Sequence, residues 1–217
     1  MAREPKPSGR PQRRSSNLRR SRASRPTRRT FLVFCEGERT EPEYLTALRQ
    51  EETIRAGAAV EIKIDSDTTG SVPMTLVSAA AAARTRADEE EGEIDEVWCL
   101  FDVEWPRNHP ELREALQLAA RSDVHVAVSN PNFELWLALH LCDHTAWLDN
   151  PAAVKLRRVH DGSSDKGLSG DLYMPLRGAA VARALALDTK HAGDATSFPD
   201  NNPSSGMHLF LAAVEHH

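Results

Sequence analysis

The chain has 217 residues, of which 40% are hydrophobic and 27% charged, and its net charge is −5. That length provides for one ordinary domain with a hydrophobic core and a tail. No apolar run approaches the roughly 18 residues of a membrane-spanning helix, and the N-terminus lacks the apolar stretch of a signal peptide, so we expect a cytoplasmic protein with no membrane partner.

The cysteines indicate a reducing compartment. Cys35, Cys99 and Cys142 lie inside apolar runs and have no CxxC spacing. Residues in such positions are typical of buried free thiols. The sequence therefore predicts neither a disulfide framework nor a zinc site.

The N-terminal segment has a composition of its own. Residues 1–30 carry eleven Lys or Arg and one Glu, whereas the remaining 187 residues carry sixteen basic and thirty-one acidic side chains, a net charge of −15. Residues 1–29 contain almost nothing apolar, which predicts a disordered basic tail. Two interpretations of the tail stay open: a solvated extension, or an arm that neutralises nucleic-acid phosphates.

The folded part opens with a strand, an acidic loop and a helix. The apolar run Phe31–Cys35 is typical of a strand buried on both faces. Glu36-Gly37-Glu38 follows, where glycine permits a tight turn and two carboxylates stand at the carboxyl end of the strand. A helix is predicted over about 41–52, with Thr40 as its N-cap.

The same alternation continues along the chain. Alternating and continuous apolar runs predict three more strands, at Val60–Ile64, Val97–Phe101 and Val124–Val128. Helical spacing predicts further helices, at about 73–91, 110–121, 133–140, 151–160, 176–187 and 207–214. Asn132 can cap the third of these, and residues 201–205 cap the last. This β-α order is that of an α/β fold: a Rossmann-like parallel sheet flanked by helices, with a helical C-terminal third packed on it.

Two acidic clusters should meet at one edge of this sheet. Glu36 and Glu38 follow one buried strand, and Asp102 and Glu104 follow another. Because parallel strands share their carboxyl edge, neighbouring strands would bring the four carboxylates together. Their repulsion calls for a cation, and such oxygen ligands select Mg²⁺ or Mn²⁺. The alternative is that Asp102 and Glu104 merely flank a turn before Pro106.

Other chemistries find little support in the sequence. No GxxxxGK[ST], GxSxG, HExxH or GxGxxG pattern is present. His140 and His144 have the spacing of a metal-binding pair, but no third ligand stands nearby, so we interpret them as core or helix-surface residues.

Several of these segments resemble known proteins. Glu36-Gly37 after one strand and Asp102-Val103-Glu104 after another resemble the Toprim domain, the Mg²⁺-binding α/β module of topoisomerases, primases and some nucleases. The blocks FCEGERTEPEYL, VWCLFDVEWP, SNPNFELWLALH and NNPSSGMHLFLAAV resemble the RloB family, Toprim-like proteins of AbiLii-type phage-defence loci. The resemblance runs from about residue 30 to 214. It implies a Toprim-like core over about 30–140 and a helical extension over 141–217.

The resemblance implies a function and a ligand set. The Toprim glutamate falls on Glu36 and the DxD pair on Asp102 and Glu104, where glutamate replaces the second aspartate. We therefore expect a Mg²⁺- or Mn²⁺-dependent nuclease in which these three residues hold the ion and Glu38 assists a second ion or a water. The alternative is a non-catalytic subunit of the same fold that docks on a partner ATPase.

A second group of residues completes the predicted site. Lys166 could neutralise charge on a phosphate, with a solvated surface lysine as the alternative. Arg39, Asn130 and Glu134 are candidates for lining the edge of the sheet or contacting nucleic acid, and for Glu134 helix capping has equal weight. The expected partners are RNA or DNA and an ATPase encoded nearby, and the possibility of a homo-oligomer stays open.

Overall fold

The computed structural model describes residues 29–56, 61–65, 72–89, 94–106, 109–163 and 167–215. The predicted disordered tail lies, apart from Arg29, outside these residues. The strands are β1 Thr30–Cys35, β2 Glu61–Asp65, β3 Glu96–Asp102, β4 Val124–Asn130 and β5 Ser204–Ser205. The helices are α1 Thr40–Leu48, α2 Glu52–Ala56, α3 Pro73–Glu89, α4 Leu112–Arg121, α5 Phe133–Leu141, α6 Asn150–Asp161, α7 Gly170–Tyr173, α8 Arg177–Gly193 and α9 Met207–Glu215, and a 3₁₀ turn at Met174–Leu176 joins α7 to α8.

The strands form one sheet in the order β2-β1-β3-β4-β5. The first four are parallel, which confirms the predicted α/β class. β5 runs antiparallel to β4 and pairs Ser205 with Ser129 and Ser204 with Asn130. The sequence predicted that residues 201–205 only cap the last helix. A two-residue strand carries too short a pattern to be seen in advance.

Helices cover both faces of the sheet. One buried cluster joins alternate residues of β1, Phe31, Val33 and Cys35, to residues of α1, α5, α8 and α9. The other buried cluster lies on the opposite face of the sheet, where Phe34 of β1 and alternate residues of β3 pack against α3 and α4. Because β1 and β3 are covered on both sides, their sequences are continuously apolar rather than alternating.

The helical C-terminal third packs on the first of these faces, as predicted. The ring of Phe210 in α9 meets Phe31 edge to face, with centroids 6.5 Å apart, and Trp98 at 5.2 Å. Such edge-to-face pairs stabilise a core beyond their buried area. The division into a core over 30–140 and an extension over 141–217 stays a prediction, although one buried cluster contains residues from both parts.

Some helix ends differ from the prediction. The predicted helix 41–52 ends earlier, at Leu48, and a separate helix, α2, begins at Glu52. Arg39, not Thr40, stands at the N-cap position of α1, and Asn132 at the N-cap position of α5 forms no capping hydrogen bond. Asp149 does cap α6, since its side chain accepts a hydrogen bond from the backbone of Ala152.

All three cysteines are free thiols, as predicted, with Cys35 and Cys99 buried and Cys142 partly exposed. His140 is a core residue whose ring nitrogens contact Trp136 and Tyr44.

None of the helices in the described ranges combines the length and apolar character that crossing a membrane requires.

Candidate metal centre

The carboxyl ends of β1 and β3 are joined directly. β1 pairs with β3 through Cys35 and Leu100, and the backbone N–H of Glu36 donates to the carbonyl of Leu100 over 3.0 Å. The Glu36 side chain extends to the last residue of β3, where its Oε2 accepts a hydrogen bond of 2.9 Å from the backbone N–H of Asp102. Glu36 and Asp102 therefore lie at one edge of the sheet.

The backbone after β3 is held against β4. The N–H of Val103 donates to the carbonyl of Ser129 over 2.9 Å, and that of Glu104 donates to Pro131 over 2.8 Å. Glu104 has a positive φ of 61°, a conformation that non-glycine residues seldom adopt outside constrained sites. These hydrogen bonds hold the turn in place, and the turn brings the Glu104 carboxylate to the edge of the sheet where Glu36 and Asp102 lie.

His109 joins this group, although the sequence did not single it out. Its side chain is only 6% exposed, and its Nε2 lies 3.2 Å from Glu36 Oε1 and 3.6 Å from Glu104 Oε2. Neither ring nitrogen makes a hydrogen bond with a described residue. Burial lowers the pKa of His109, against the opposing charge of Glu104. The feature of the sequence that could have indicated His109 is its position in the loop that follows Asp102 and Glu104.

Glu41, in the first turn of α1, supplies a further carboxylate. Its side chain is buried, and a methyl group on Gly37 would overlap its carboxylate. A larger residue at position 37 would therefore displace the Glu41 carboxylate, which lies against this turn. From the sequence, Glu41 was only one of several acids at a helix start, where a carboxylate is favourable in any case.

The carboxylates of the cluster repel one another in a poorly solvated place. Burial raises the pKa of Glu36 to about 7. The charges of Glu104 and Glu41 add to this shift, whereas the hydrogen bond from Asp102 opposes it. Burial, followed by the charges of Glu41 and Glu36, also raises the pKa of Asp102 well above its usual range, although a hydrogen bond from the backbone of Phe133 opposes the shift. A cation would relieve both groups.

The donor set suits a hard cation with a hydration shell. Within the described ranges, no group of three or more His, Cys, Asp or Glu side chains has an arrangement that could hold a metal ion directly. Mg²⁺ does not need such a group, because it keeps several waters and is commonly held by one or two carboxylates. Glu36, Asp102 and Glu104 offer carboxylate oxygens at one edge, so the residues present fit a hydrated Mg²⁺ or Mn²⁺ ion.

Glu38 and Arg39 lie apart from this cluster. Both are exposed and line a surface depression with residues of α1 and with Leu168. Arg39 forms an ion pair of 2.8 Å with Glu43. Glu38 is not among the charges that shift the pKa of Glu36 or Asp102, and the fourth carboxylate of the cluster is Glu41 instead.

Asn130 is fully buried at the end of β4 and holds the surrounding loops together. Its Oδ1 accepts a hydrogen bond of 2.8 Å from the indole N–H of Trp105. Its amide nitrogen donates to the carbonyl of Pro199 over 3.0 Å and to the side chain of Asn201 over 3.3 Å. Asn130 thus fixes the residue that follows Glu104 in the chain.

Glu134 is the partner of a buried arginine. Its carboxylate receives a hydrogen bond of 2.8 Å from Arg157, whose side chain is 2% exposed and also donates to Asp161 over 2.8 Å. Burial disfavours the charge of Arg157, but the hydrogen bond and charge of Glu134 outweigh it and raise the arginine pKa. The predicted Lys166 lies outside the described residues.

The comparison with protein families agrees with the resemblance found in the sequence. A family model described as RloB-like protein matches residues 31–214, which is most of the chain. The chain belongs to the RloB-like family. Neither the curated proteins nor the solved structures contain a significant match.

Proposed function

We propose that this RloB-like protein is a Mg²⁺-dependent, Toprim-type nuclease that hydrolyses phosphodiester bonds of RNA or DNA in anti-phage defence. The observation that carries the proposal is the convergence of Glu36, Asp102 and Glu104 at one edge of the sheet, where burial raises the pKa of Glu36 and of Asp102. The edge is also the place where open α/β sheets hold their ligands.

In this proposal Glu36, Asp102 and Glu104 hold the ion, directly or through its waters. The ion would polarise a phosphoryl oxygen and make a bound water more acidic. The hydrogen bond from the backbone of Asp102 to Oε2 leaves Oε1 as the oxygen of Glu36 that would bind the ion or one of its waters.

Cleavage assays on the purified full chain test the proposal. Labelled RNA and DNA are incubated with Mg²⁺ or Mn²⁺, with and without an ATPase encoded nearby. We expect metal-dependent cleavage that Asp102→Asn reduces by about 10²-fold or more. Absence of cleavage under every condition, or an Asp102→Asn variant that is as active as the parent, would contradict it.

One observation favours a second candidate, a non-catalytic subunit that docks on an ATPase. Among the described residues, no group of three or more His, Cys, Asp or Glu side chains could hold a metal ion directly. Glu104 also stands where the Toprim pattern has aspartate. Calorimetric titration with Mg²⁺ separates the two functions. A nuclease should bind Mg²⁺ in a manner that Asp102→Asn weakens, whereas a scaffold should show no carboxylate-dependent binding.

A further inference from the structure

A cavity lies next to the carboxylate cluster. Its volume is about 590 Å³, which is within the range of small-ligand sites. It is formed by the segment before α4, the first turns of α4, and the loop that precedes β5. Its walls include His109, Leu112, Arg113, Leu116, Phe198 and Pro199.

His109 connects the cavity to the cluster. Its side chain lines the cavity, yet its Nε2 is 3.2 Å from Glu36 Oε1. Its Nδ1 is buried and has no hydrogen-bond partner among the described residues. The ring of His109 is therefore a wall that the cavity and the carboxylate cluster share.

The cavity also has an anion-binding side. Arg113 is exposed, and within the described ranges it makes no hydrogen bond or ion pair. α4 starts at the same wall, and Glu111 at its N-cap position forms no side-chain capping bond. The positive end of the helix dipole therefore lies beside an arginine, although the first-turn carboxylate of Glu114 offsets part of it. The guanidinium of Arg113 is the group on this wall that favours phosphate.

The remaining walls are apolar. Leu112, Leu116 and Pro199 contribute aliphatic surface, and Phe198 contributes an aromatic side chain that is 36% exposed. Flat heteroaromatic rings bind such surfaces by stacking and by apolar contact. A phosphate site and an apolar wall in one cavity match the two chemical parts of a nucleotide.

We propose that this cavity binds one unpaired nucleotide of the substrate, with its phosphate at Arg113 and the start of α4 and its base against Phe198 and Leu116. The inference deepens the proposed function. A nucleotide bound in this way would place a neighbouring phosphodiester near the carboxylates, because His109 lines the cavity and also contacts Glu36. Because a paired base is stacked on both sides, the substrate at this point is single-stranded or has a base turned out of its helix.

Binding can be measured without catalysis. The full chain in EDTA is titrated with AMP, GMP, CMP and UMP and followed by NMR, with ribose 5-phosphate and inorganic phosphate as probes that lack a base. We expect nucleoside monophosphates to bind at least tenfold more tightly than ribose 5-phosphate. Arg113→Ala and Phe198→Ala should each weaken binding by tenfold or more, whereas Arg121→Ala, at the far end of α4, should not change it.

The possible results test nucleotide binding in the cavity separately from nuclease activity. Equal binding of phosphate, ribose 5-phosphate and nucleotides would overturn the inference, since only an anion would be recognised. Duplex substrates cleaved as well as single strands, with Arg113→Ala fully active, would also overturn it while leaving the nuclease intact. Nucleotide binding that depends on Arg113 and Phe198, in a protein that cleaves nothing, would support the cavity and refute the nuclease.

Discussion

The backbone N–H of Asp102 donates a hydrogen bond of 2.9 Å to Oε2 of Glu36. One acidic segment therefore orients the other, through a peptide group that no side-chain substitution at Asp102 removes. This arrangement makes carboxylate-to-amide variants informative, because the charge changes while the backbone contact between β1 and β3 is retained.

Glu41, rather than Glu38, should influence the ion. Glu41 is buried and its charge raises the pKa of both Asp102 and Glu36, whereas Glu38 is exposed and has no such effect. We expect Glu41→Gln to weaken Mg²⁺ binding by about tenfold, the effect of one nearby charge in a poorly solvated site. Calorimetry with Glu38→Gln as the matched control checks this. Equal effects of the two substitutions would contradict it.

The stability of the metal-free protein should fall as the pH rises. The pKa of Glu36 is about 7 in the folded protein, against an ordinary value of 4.5. Since the folded state holds this proton more tightly, the contribution of Glu36 is fully present below pH 4.5 and is lost as the pH rises through 7. The loss amounts to about 3 kcal/mol at most.

Urea unfolding in EDTA between pH 4.5 and 8 measures this dependence. We expect Glu36→Gln to flatten the decline by about 1–3 kcal/mol. Adding Mg²⁺ at pH 8 should restore stability to the unsubstituted chain more than to Glu36→Gln. Parallel pH profiles for the two proteins would show that the Glu36 pKa is not raised.

Gly37→Ala should damage the site without unfolding the protein. The added methyl group would overlap the buried carboxylate of Glu41 and force it away from its place. A shift of about 1 Å in such a site can lower a rate by about 10²-fold, and we expect a loss of cleavage of that order. Gly178→Ala in α8, where a methyl group meets nothing within 4 Å, is the control and should keep full activity. A fully active Gly37→Ala would show that the position of Glu41 is unimportant.

Glu134→Gln should affect stability more than chemistry. The substitution leaves Arg157 buried with Asp161 as its remaining charged partner. Breaking a buried pair in this way costs about 3 kcal/mol. Denaturant unfolding measures the loss, and Glu215→Gln, which breaks the more exposed pair with Arg177, should cost less than about 1 kcal/mol. Lost cleavage at full stability would instead assign Glu134 to catalysis.

Most of the fold could be predicted because its signals are local. The continuous apolar runs around Phe34 and Cys99 are typical of strands covered on both sides, and both clusters of the core show this arrangement. The antiparallel pairing of Ser205 with Ser129 could not be predicted, since two polar residues have no periodicity and their partner is distant in the chain.

The site was predictable only where carboxylates directly follow a strand. Glu36 and Asp102 meet because parallel strands share their ends, a rule that needs only the strand positions. His109 and Glu41 reach the same place through the path of a loop and the first turn of a helix. Those paths depend on tertiary packing, which cannot be predicted from composition or from residue spacing.

The packing of Phe210 determines where this protein can be truncated. A fragment ending near residue 140 would retain the four parallel strands and each of the three proposed ligands, yet it would leave Phe31 and Trp98 without the ring that covers them. It would also lose β5 and leave β4 as an unprotected outer strand. We expect such a fragment to aggregate through the exposed apolar face and the unpaired strand edge, so the part that holds the three proposed ligands should not be stable by itself.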